Sequence, residues 1–237
     1  MIVDARGKDY AELNRVIKEN SDTEITNCLG QRFLADGTSG KRVKITGTAG
    51  NALAAYLNGS RVEVFGNAQD ALGDPMNDGT VIIHGSAQDA AGYAMRGGSI
   101  YIEKDVGYRA GIHMKAYMDK IPVIVVGGAT GSFLGEYQAG GYIIVLGLYG
   151  EEKITGYFCG TGMHGGKIYL RTENLPKDLP AQVNAKKATE EDKKEIEKYV
   201  TEFCAHFGRN KEEILASDFF VLTPNSANPY KKLYVQN

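Results

Sequence analysis

The residues of this chain that could carry chemistry include two glycine-rich motifs. GTGMHG, at residues 160–165, has the G-x-G-x-x-G spacing that binds dinucleotide phosphates when it follows a strand and opens a helix. Here it runs directly into GKIYL, which has the pattern of a strand, so we interpret it as a backbone corner. GGATGSF, at residues 127–133, lacks the Gly-Lys-Ser/Thr of a phosphate-binding P-loop. Neither motif predicts a nucleotide site.

The histidines and cysteines are too scattered to predict a metal or catalytic site. No two histidines are four residues apart and no Cys-x-x-Cys occurs, so the sequence gives a zinc site no support. These residues are His84, His113, His164, His206, Cys28, Cys159 and Cys204. We expect no catalytic, cofactor-binding or metal-binding residue on this chain. Three distant cysteines also argue against a disulfide framework and favour a reducing, cytoplasmic location.

Acidic and amide side chains form a column at Asn51, Asp70 and Asp89, at intervals of 19 residues. Calcium-binding β-rolls need a nine-residue repeat, so the longer interval favours solvated corners. Asp70 and Asp89 are the stacked carboxylate pair that a sugar-cleaving enzyme could use. Because stacked carboxylates repel each other, we expect Arg109, near the same corner one coil on, to compensate them.

The elements that must position these residues repeat with a period of 19. Two apolar columns open each unit: Val43, Val62, Val81 and Ile100, then Ile45, Val64, Ile83 and Ile102. Two glycine columns follow: Gly47, Gly66 and Gly85, then Gly73, Gly92 and Gly111. Alanine and methionine columns accompany them: Ala49, Ala68 and Ala87, then Met76, Met95 and Met114. So short a period predicts a solenoid, in which each unit buries its apolar face against its neighbours.

The repeat predicts an all-β fold, a single-stranded right-handed parallel β-helix of about seven coils with short flanking α-helices. Each unit opens with an apolar-x-apolar strand, and the rest is too short and glycine-rich for a crossover helix. The last three units open at Val123, Ile143 and Ile168, and the fourth and sixth carry insertions. Both apolar columns should fill the tube, with the alanine and methionine columns as further inward positions. The six column glycines are expected to be structural corners where no Cβ fits.

The composition divides the chain into three parts. Residues 1–42 should form an N-terminal cap with a short helix and a loop, and residues 43–175 the parallel β-helix. Residues 176–237 lose the glycines and should form a helical and extended docking segment. Such flanks would cover the strand edges at the two ends of the solenoid.

Helix signals lie in both flanks. Asp9 to Asn20 carries apolar residues at helical spacing. Thr189 and Asp192 form a capping-box-like start of a longer helix, and Gly208 is its stop signal. The stretch KEEILAS predicts a second short helix, and the residues that follow it are expected to be extended.

Four tyrosines cluster around the irregular later units, at Tyr137, Tyr142, Tyr149 and Tyr157. They favour either a partner surface or packing beneath the insertions, and the sequence leaves both open.

The bulk composition excludes some classes of partner. The 237 residues carry a formal net charge of −2, so no general attraction to nucleic acid or acidic membranes is expected. No stretch approaches the roughly 20 continuous apolar residues that cross a bilayer. The opening residues MIVDARGKDY have no secretory signal pattern. We therefore expect a cytoplasmic protein with no nucleic-acid or membrane partner.

The columns resemble the GXGXG domain of glutamate synthase, the C-terminal β-helix of its large subunit. The closest stretch runs from Gly47 to Ile83. The positions that fit are Gly47, Ala49, Gly50 and Tyr56 in one coil, and Gly66, Ala68, Asp70 and Gly73 in the next. Gln69 and Ala71 depart from the family pattern. The segment NPYKKLY, at residues 228–234, is similar to the family's closing segment. GSAQDAAGYAMRGGSIYI, at residues 85–102, also resembles the coils found in one of the subunits of formylmethanofuran dehydrogenase.

The resemblance implies a non-catalytic structural subunit of a glutamate synthase-type oxidoreductase, acting in glutamate biosynthesis and nitrogen metabolism. FMN and iron–sulfur centres would lie on partner subunits, and this chain would hold no cofactor. The implied partners are amidotransferase-like and FMN-binding subunits, with a homo-oligomer also open. The alternatives are the equivalent subunit of a formylmethanofuran dehydrogenase and a stand-alone β-helix carbohydrate-active enzyme.

Overall fold

A computed structural model describes residues 1–227 of the chain. The segment NPYKKLY, at residues 228–234, lies outside the described residues. The parallel strands, in chain order, are β1 (Ile2–Asp4), β2 (Asp22–Leu29), β3 (Arg42–Thr48), β4 (Asn58–Phe65), β5 (Asp78–Ile83), β6 (Ser99–Ile102), β7 (Val123–Val126), β8 (Ala139–Val145) and β9 (Gly165–Arg171). The remaining elements are α1 (Tyr10–Glu19), β10 (Val183–Lys187), α2 (Glu190–Phe207), α3 (Lys211–Ala216) and β11 (Phe219–Pro224). None of the described helices is long and apolar enough to cross a membrane.

Each strand from β1 to β9 pairs in parallel with the next strand along the chain. Within residues 1–227, nine parallel strands therefore bound eight turns of a β-solenoid. Val43 pairs with Val62, and Val62 with Val81, as the period of 19 predicts. The predicted solenoid fold is confirmed, with one more turn than the seven coils expected.

The parallel ladder begins well before the predicted start at residue 43. Thr23 pairs with Val43 and Ile25 with Ile45, so β2 forms a full turn of the solenoid within the expected cap. A register shift between Ile25 and Cys28 adds a residue to this turn, and Asn27 lies there with φ of 54°. The added residue breaks the period of 19, which is why the repeat is hidden in the sequence.

The first insertion also shifts the register of the fifth predicted unit. Ile100 pairs with Ile124 rather than with Val123, and Ile124 then pairs with Ile143. Val123 instead faces outward, into the cluster beneath α2. The prediction that this unit opens at Val123 is wrong by one residue. All four residues of β7 are apolar, so period-2 alternation cannot show which of them point into the tube.

The inside of the tube is filled by the predicted columns. Both apolar columns are buried, as are the alanines Ala49, Ala68 and Ala87 and the methionines Met76, Met95 and Met114. The prediction that these columns point inward is confirmed. Gln138 occupies the methionine column one turn later and is fully buried; its amide nitrogen donates to the carbonyl oxygens of Gly140 and Gly141.

The outer face of β5–β9 is covered by α2. Ile196, Val200 and Phe203 are fully buried against it, which confirms the predicted apolar face of this helix. Thr189 and Asp192 form the predicted capping box, and Gly208 ends the helix in the left-handed conformation. The helix therefore closes one side of a sheet that would otherwise expose large apolar side chains to water.

Polar contacts fix α2 on the sheet. The carboxylate of Glu195 accepts hydrogen bonds from the hydroxyls of Tyr142 and Tyr169 and from the ammonium of Lys167. Tyr101 likewise donates to Glu202. These contacts join β6, β8 and β9 to one face of the helix, beside its apolar contacts.

We expect Glu195→Gln to lower stability at neutral pH by about 1 kcal/mol, since charge-assisted hydrogen bonds are lost and solvent screens the rest. Burial alone would raise the pKa of Glu195, but Lys167, Tyr169 and Tyr142 together hold it below its ordinary value of 4.5. Because the folded pKa is the lower one, this stabilisation is present above about pH 4.5 and is lost as the pH falls through the folded pKa.

Urea unfolding at neutral and acidic pH measures this effect. The gap between wild type and Glu195→Gln should shrink as the pH drops. Glu197→Gln, on the same helix and paired with Lys211, is the matched control and should change little. A gap for Glu195→Gln that stays constant down to pH 2 would show that the charge is not what matters.

The C-terminal end of the ladder is closed by antiparallel strands. β11 pairs with β9 on one side and with β10 on the other. The extended segment starting at Phe219 was predicted, whereas β10 was not. α3 forms where the stretch KEEILAS predicts a second short helix.

Candidate functional site

The glycine motifs form turns. Gly160 and Gly162 have φ of 75° and 70°, and the chain then enters β9 with no intervening helix. Gly127 and Gly128 pack on the preceding coil, where a Cβ would strike Glu103 and Asp105. GTGMHG therefore lacks the strand-to-helix context in which a G-x-G-x-x-G holds a pyrophosphate.

Two columns of glycines lie where neighbouring coils touch. Gly66 has φ of 149°, and a Cβ there would overlap the carbonyl oxygen of Gly47 in the preceding coil. Gly111 has φ of 70°, and its Cβ would press on the Cδ1 atom of Ile143. The same contacts recur at the other column glycines, Gly47, Gly85, Gly73 and Gly92. These positions fix coil-to-coil spacing.

Each turn repeats a left-handed residue that is often not glycine. One column of such residues, with φ between 58° and 63°, consists of Phe33, Ala52, Ala71, Ala90, Arg109, Phe133 and Phe158. Since each occupies the same place in its turn, their side chains form a row along the solenoid axis. The row begins with Phe33, continues as alanine at three turns and ends with large side chains at Arg109, Phe133 and Phe158.

The acidic column joins consecutive coils. Asp70 Oδ1 accepts the backbone N–H of Asp89 at 3.1 Å, and Asp89 Oδ1 accepts that of Tyr108 at 2.8 Å. Gly107 leaves room for this contact, because a Cβ there would collide with Asp89 Oδ1. The expectation that Arg109 compensates these carboxylates is wrong, since its guanidinium lies against Glu136 instead. Each carboxylate faces an N–H donor on the following coil, as a charge-assisted bond requires.

His84 and His206 both lie beside Phe207, whereas His113 and His164 lie elsewhere on the solenoid. The His84 ring stacks on Phe65 with centroids 4.4 Å apart, and its Nε2 lies 2.9 Å from Glu63 Oε1. His206 meets Tyr101 edge-on, and burial lowers the pKa of His206. Over residues 1–227, no group of three or more histidines, cysteines or carboxylates is placed to hold a metal ion.

Cys159, near His164 in sequence, is buried inside the tube. Burial, and then the charge of Asp178, raise the pKa of its thiol to about 12. A thiol in that state is a poor nucleophile at neutral pH. The arrangement therefore makes Cys159 a packing residue.

Exposed and half-buried aromatic side chains line the turns that follow β5, β6, β7 and β8. We call the six residues Tyr93, His113, Phe133, Tyr137, Tyr157 and Phe158 the aromatic stripe. His113 stacks on Tyr137 with centroids 5.0 Å apart, and Phe133 stacks on Phe158 at 5.1 Å. Tyr157 and Phe158 are 61% and 51% exposed. The turn that follows β8 therefore exposes aromatic surface to solvent at one end of the stripe.

The four tyrosines singled out in the sequence separate into two groups. Tyr137 and Tyr157 belong to the aromatic stripe. Tyr142 packs against Tyr199 and Tyr169 beneath α2. Tyr149 lies under the guanidinium of Arg209 and accepts a hydrogen bond from it at 2.9 Å. Tyr142 and Tyr149 therefore pack against the C-terminal segment, whereas Tyr137 and Tyr157 do not, and a partner surface at the latter two stays a prediction.

Comparisons with known proteins agree with the fold. The family model described as the GXGXG motif matches residues 8–225. The chain is also similar to an uncharacterized protein of Methanocaldococcus jannaschii, with 45% identity over 250 aligned residues. That alignment covers 99% of this chain and 96% of the other protein. The similarity therefore extends over the flanking segments as well as the solenoid.

Proposed function

The chain belongs to the GXGXG motif family, and from that premise we propose that it is a structural, non-catalytic subunit of a glutamate synthase-type oxidoreductase. It would act in the cytoplasm, in glutamate biosynthesis. The observation that carries this proposal is the extent of the match: residues 8–225 are this one module, the type found at the C-terminus of the glutamate synthase large subunit.

The side chains that could carry out chemistry already make structural contacts, which supports a structural role. Asp70 and Asp89 each hold a backbone N–H of the next coil, and His84 is packed between aromatic rings. A sugar-cleaving pair of carboxylates needs one free base and one free acid facing the scissile bond. If Asp70 and Asp89 acted as the catalytic acid and base, their hydrogen bonds to the next coil would be lost.

The cysteines do not fit an iron–sulfur cluster. Cys28 and Cys159 point into the tube, whereas Cys204 packs in the separate outer cluster beneath α2. A cluster needs several thiolates around one centre. We therefore assign iron–sulfur and flavin chemistry in the proposed complex to other subunits.

The proposed contribution of this chain is rigidity. Its coils are joined by a continuous parallel ladder, by aspartate contacts to the next coil and by a helix laid across five strands. A solenoid built this way holds its surface positions at fixed spacing along its axis. Such a block can keep amidotransferase-like and FMN-binding chains in a constant relative position.

Co-expression tests the proposal. The tagged chain would be produced together with the amidotransferase-like and FMN-binding chains of the same genome, and the purified material assayed for glutamine-dependent glutamate formation. We expect both chains to co-purify in constant ratio, and omission of this chain to reduce the assembly. The tag alone, passed through the same extract, is the control.

Two outcomes would contradict the proposal. Co-purification from native extract of molybdenum- or tungsten-binding chains, without the amidotransferase, would favour the formylmethanofuran dehydrogenase alternative. Turnover of a polysaccharide by the purified chain alone would favour the carbohydrate-active alternative.

A further inference from the structure

The last turn of α2 contacts the sheet through two imidazole rings. The ring of His206 meets Tyr101 of β6 edge-on, with centroids 5.0 Å apart. The ring of Phe207 meets His84 of β5 edge-on, at 5.2 Å. Earlier turns of the helix carry fully buried apolar side chains such as Val200. Because imidazole changes its charge between pH 5 and 8, the contacts of the last turn depend on pH in a way that apolar contacts do not.

His84 lies among groups that accommodate a proton. Its Nε2 atom is 2.9 Å from Glu63 Oε1, and Glu63 Oε2 is 3.2 Å from Arg61 Nη2. Burial alone would raise the pKa of Glu63, but His84 and Arg61 hold it below its ordinary value of 4.5. The His84 ring also stacks on Phe65, with an interplanar angle of 9°. A positive charge on His84 would strengthen both contacts, so this ring keeps its place in either charge state.

His206 lies in a different environment, although it is only one turn of the solenoid away. Among the described residues, its ring has no hydrogen-bond or salt-bridge partner. The titratable and charged groups that face it are Tyr101 on β6, Arg61 and Glu63 on β4, His84 on β5 and Glu202 on α2 itself. Burial, and then the charge of Arg61, lower the pKa of His206. Neither the two carboxylates nor the C-terminal end of the helix dipole offsets this effect, so the folded chain favours the neutral ring.

The contacts on either side of this turn confine any opening to a short segment. A charged His206 ring is half-buried on the sheet and can be fully hydrated only if the turn moves away from it. Phe203, before the turn, is fully buried. Arg209, after the turn, pairs with Glu103 at 3.6 Å. Residues 204–208 can therefore separate from the sheet while the rest of α2 stays in place.

We propose that residues 204–208, the last turn of α2, form an acid-released latch on β5 and β6, with His206 as the group that responds to pH. Protonation of His206 would detach its ring and that of Phe207 and uncover Tyr101. Since the folded pKa is the lower one, the closed turn is favoured above about pH 6.5 and is lost as the pH falls through the folded pKa. This inference concerns the chain alone and does not depend on the proposed partner chains.

The pH range of the test separates the latch from the carboxylates of the sheet. Glu195 loses its stabilising charge only below about pH 4.5, and the pKa of Glu63 is lowered in the same direction. Measurements at about pH 5.5 and about pH 7.5 therefore leave both ionised while the histidines titrate. Urea unfolding at both values should show that the whole chain remains folded.

Hydrogen exchange at these two pH values, corrected for the intrinsic exchange rate, is the readout. In wild type we expect the amides of residues 204–208 to lose at least about threefold in protection at the lower pH, and those of β2–β3 to change little. His206→Phe keeps a ring over Tyr101 that cannot be protonated, so it should abolish the loss. His113→Phe, which removes an imidazole stacked on Tyr137 in the aromatic stripe, is the matched control and should respond like wild type.

A nuclear magnetic resonance titration of the histidine rings identifies the responding group. The resonance of His206, assigned by its absence in His206→Phe, should titrate with a midpoint below 6.5. The loss of protection in residues 204–208 should follow the same midpoint.

Three outcomes would overturn the inference. Equal protection of residues 204–208 at both pH values would show that the turn does not open. A response that persists in His206→Phe would show that another group, with His84 the nearest, controls the turn. A loss of protection that is equal in β2–β3 and in residues 204–208 would show that acid destabilises the whole chain.

Discussion

Gly66→Ala is expected to destabilise the folded chain by about 4 kcal/mol, a large part of the stability of a typical domain. Gly66 has φ of 149°, a conformation that is nearly restricted to glycine. Its added Cβ would overlap the carbonyl oxygen of Gly47, which is backbone of the preceding coil. The two coils cannot separate to relieve the overlap, because Val43–Val62 and Ile45–Val64 pairings hold them at ladder spacing.

Gly37→Ala is the matched control for Gly66→Ala. Gly37 also has a positive φ, 61°, but a Cβ there would meet nothing within 4 Å. It should cost about 1 kcal/mol, the backbone strain alone. Urea unfolding of both variants measures the difference. If the two variants unfold at the same urea concentration, coil contact contributes nothing and the glycine column reflects backbone conformation only.

The regular part of the solenoid could be predicted because every coil has the same packing requirement, which repeats at a fixed interval in the sequence. Every coil must place an apolar pair inside the tube, so Val62 and Val81 occur 19 residues apart and pair directly. The turn that begins with β2 could not be predicted in the same way. One of its two inward strand positions is Thr23, a polar residue, and Cys28, which pairs with Gly47, occupies the position where later coils have glycine. The bulge at Asn27 then removes the period itself.

The contacts of the acidic column could not be deduced from residue types. Two aspartates one coil apart look like like-charge neighbours, and Arg109 looks like their counter-ion. The geometry gives each carboxylate a backbone N–H of the following coil. Whether a side chain points along the solenoid axis or away from it depends on turn dihedrals, which the residue types do not specify. The glycine at 107 was the available signal, since it makes room for Asp89.

The aromatic stripe was only half visible in the sequence. Tyr137 and Tyr157 stood out with Tyr142 and Tyr149, but the latter two pack against the C-terminal helical segment. The local sequence does not distinguish Tyr137 and Tyr157 from Tyr142 and Tyr149, because the difference depends on which part of the sheet α2 packs against. That placement is tertiary, set by the match between the apolar face of α2 and the outward side chains of β5–β9.

Phe203→Ala is expected to cost about 3–5 kcal/mol, the usual range for truncating a buried phenylalanine. Phe203 is fully buried and lies over Gly127, where a Cβ would come within 2.8 Å of its Cζ atom. Its ring also packs against Phe207, with centroids 4.7 Å apart. Without it, α2 loses its central contact with the sheet, and side chains such as Tyr101 and Val125 become open to water.

Hydrogen exchange and urea unfolding together test this effect. Since solenoid coils contact only their neighbours, the loss should be greatest in β6–β8 and smallest in β2–β3, which α2 does not cover. Phe65→Ala, at a side chain that is 41% exposed, is the control and should cost about 1 kcal/mol or less. Equal acceleration of exchange in β2–β3 and β6–β8 would contradict a local role. It would show instead that α2 and all the coils unfold as one cooperative unit.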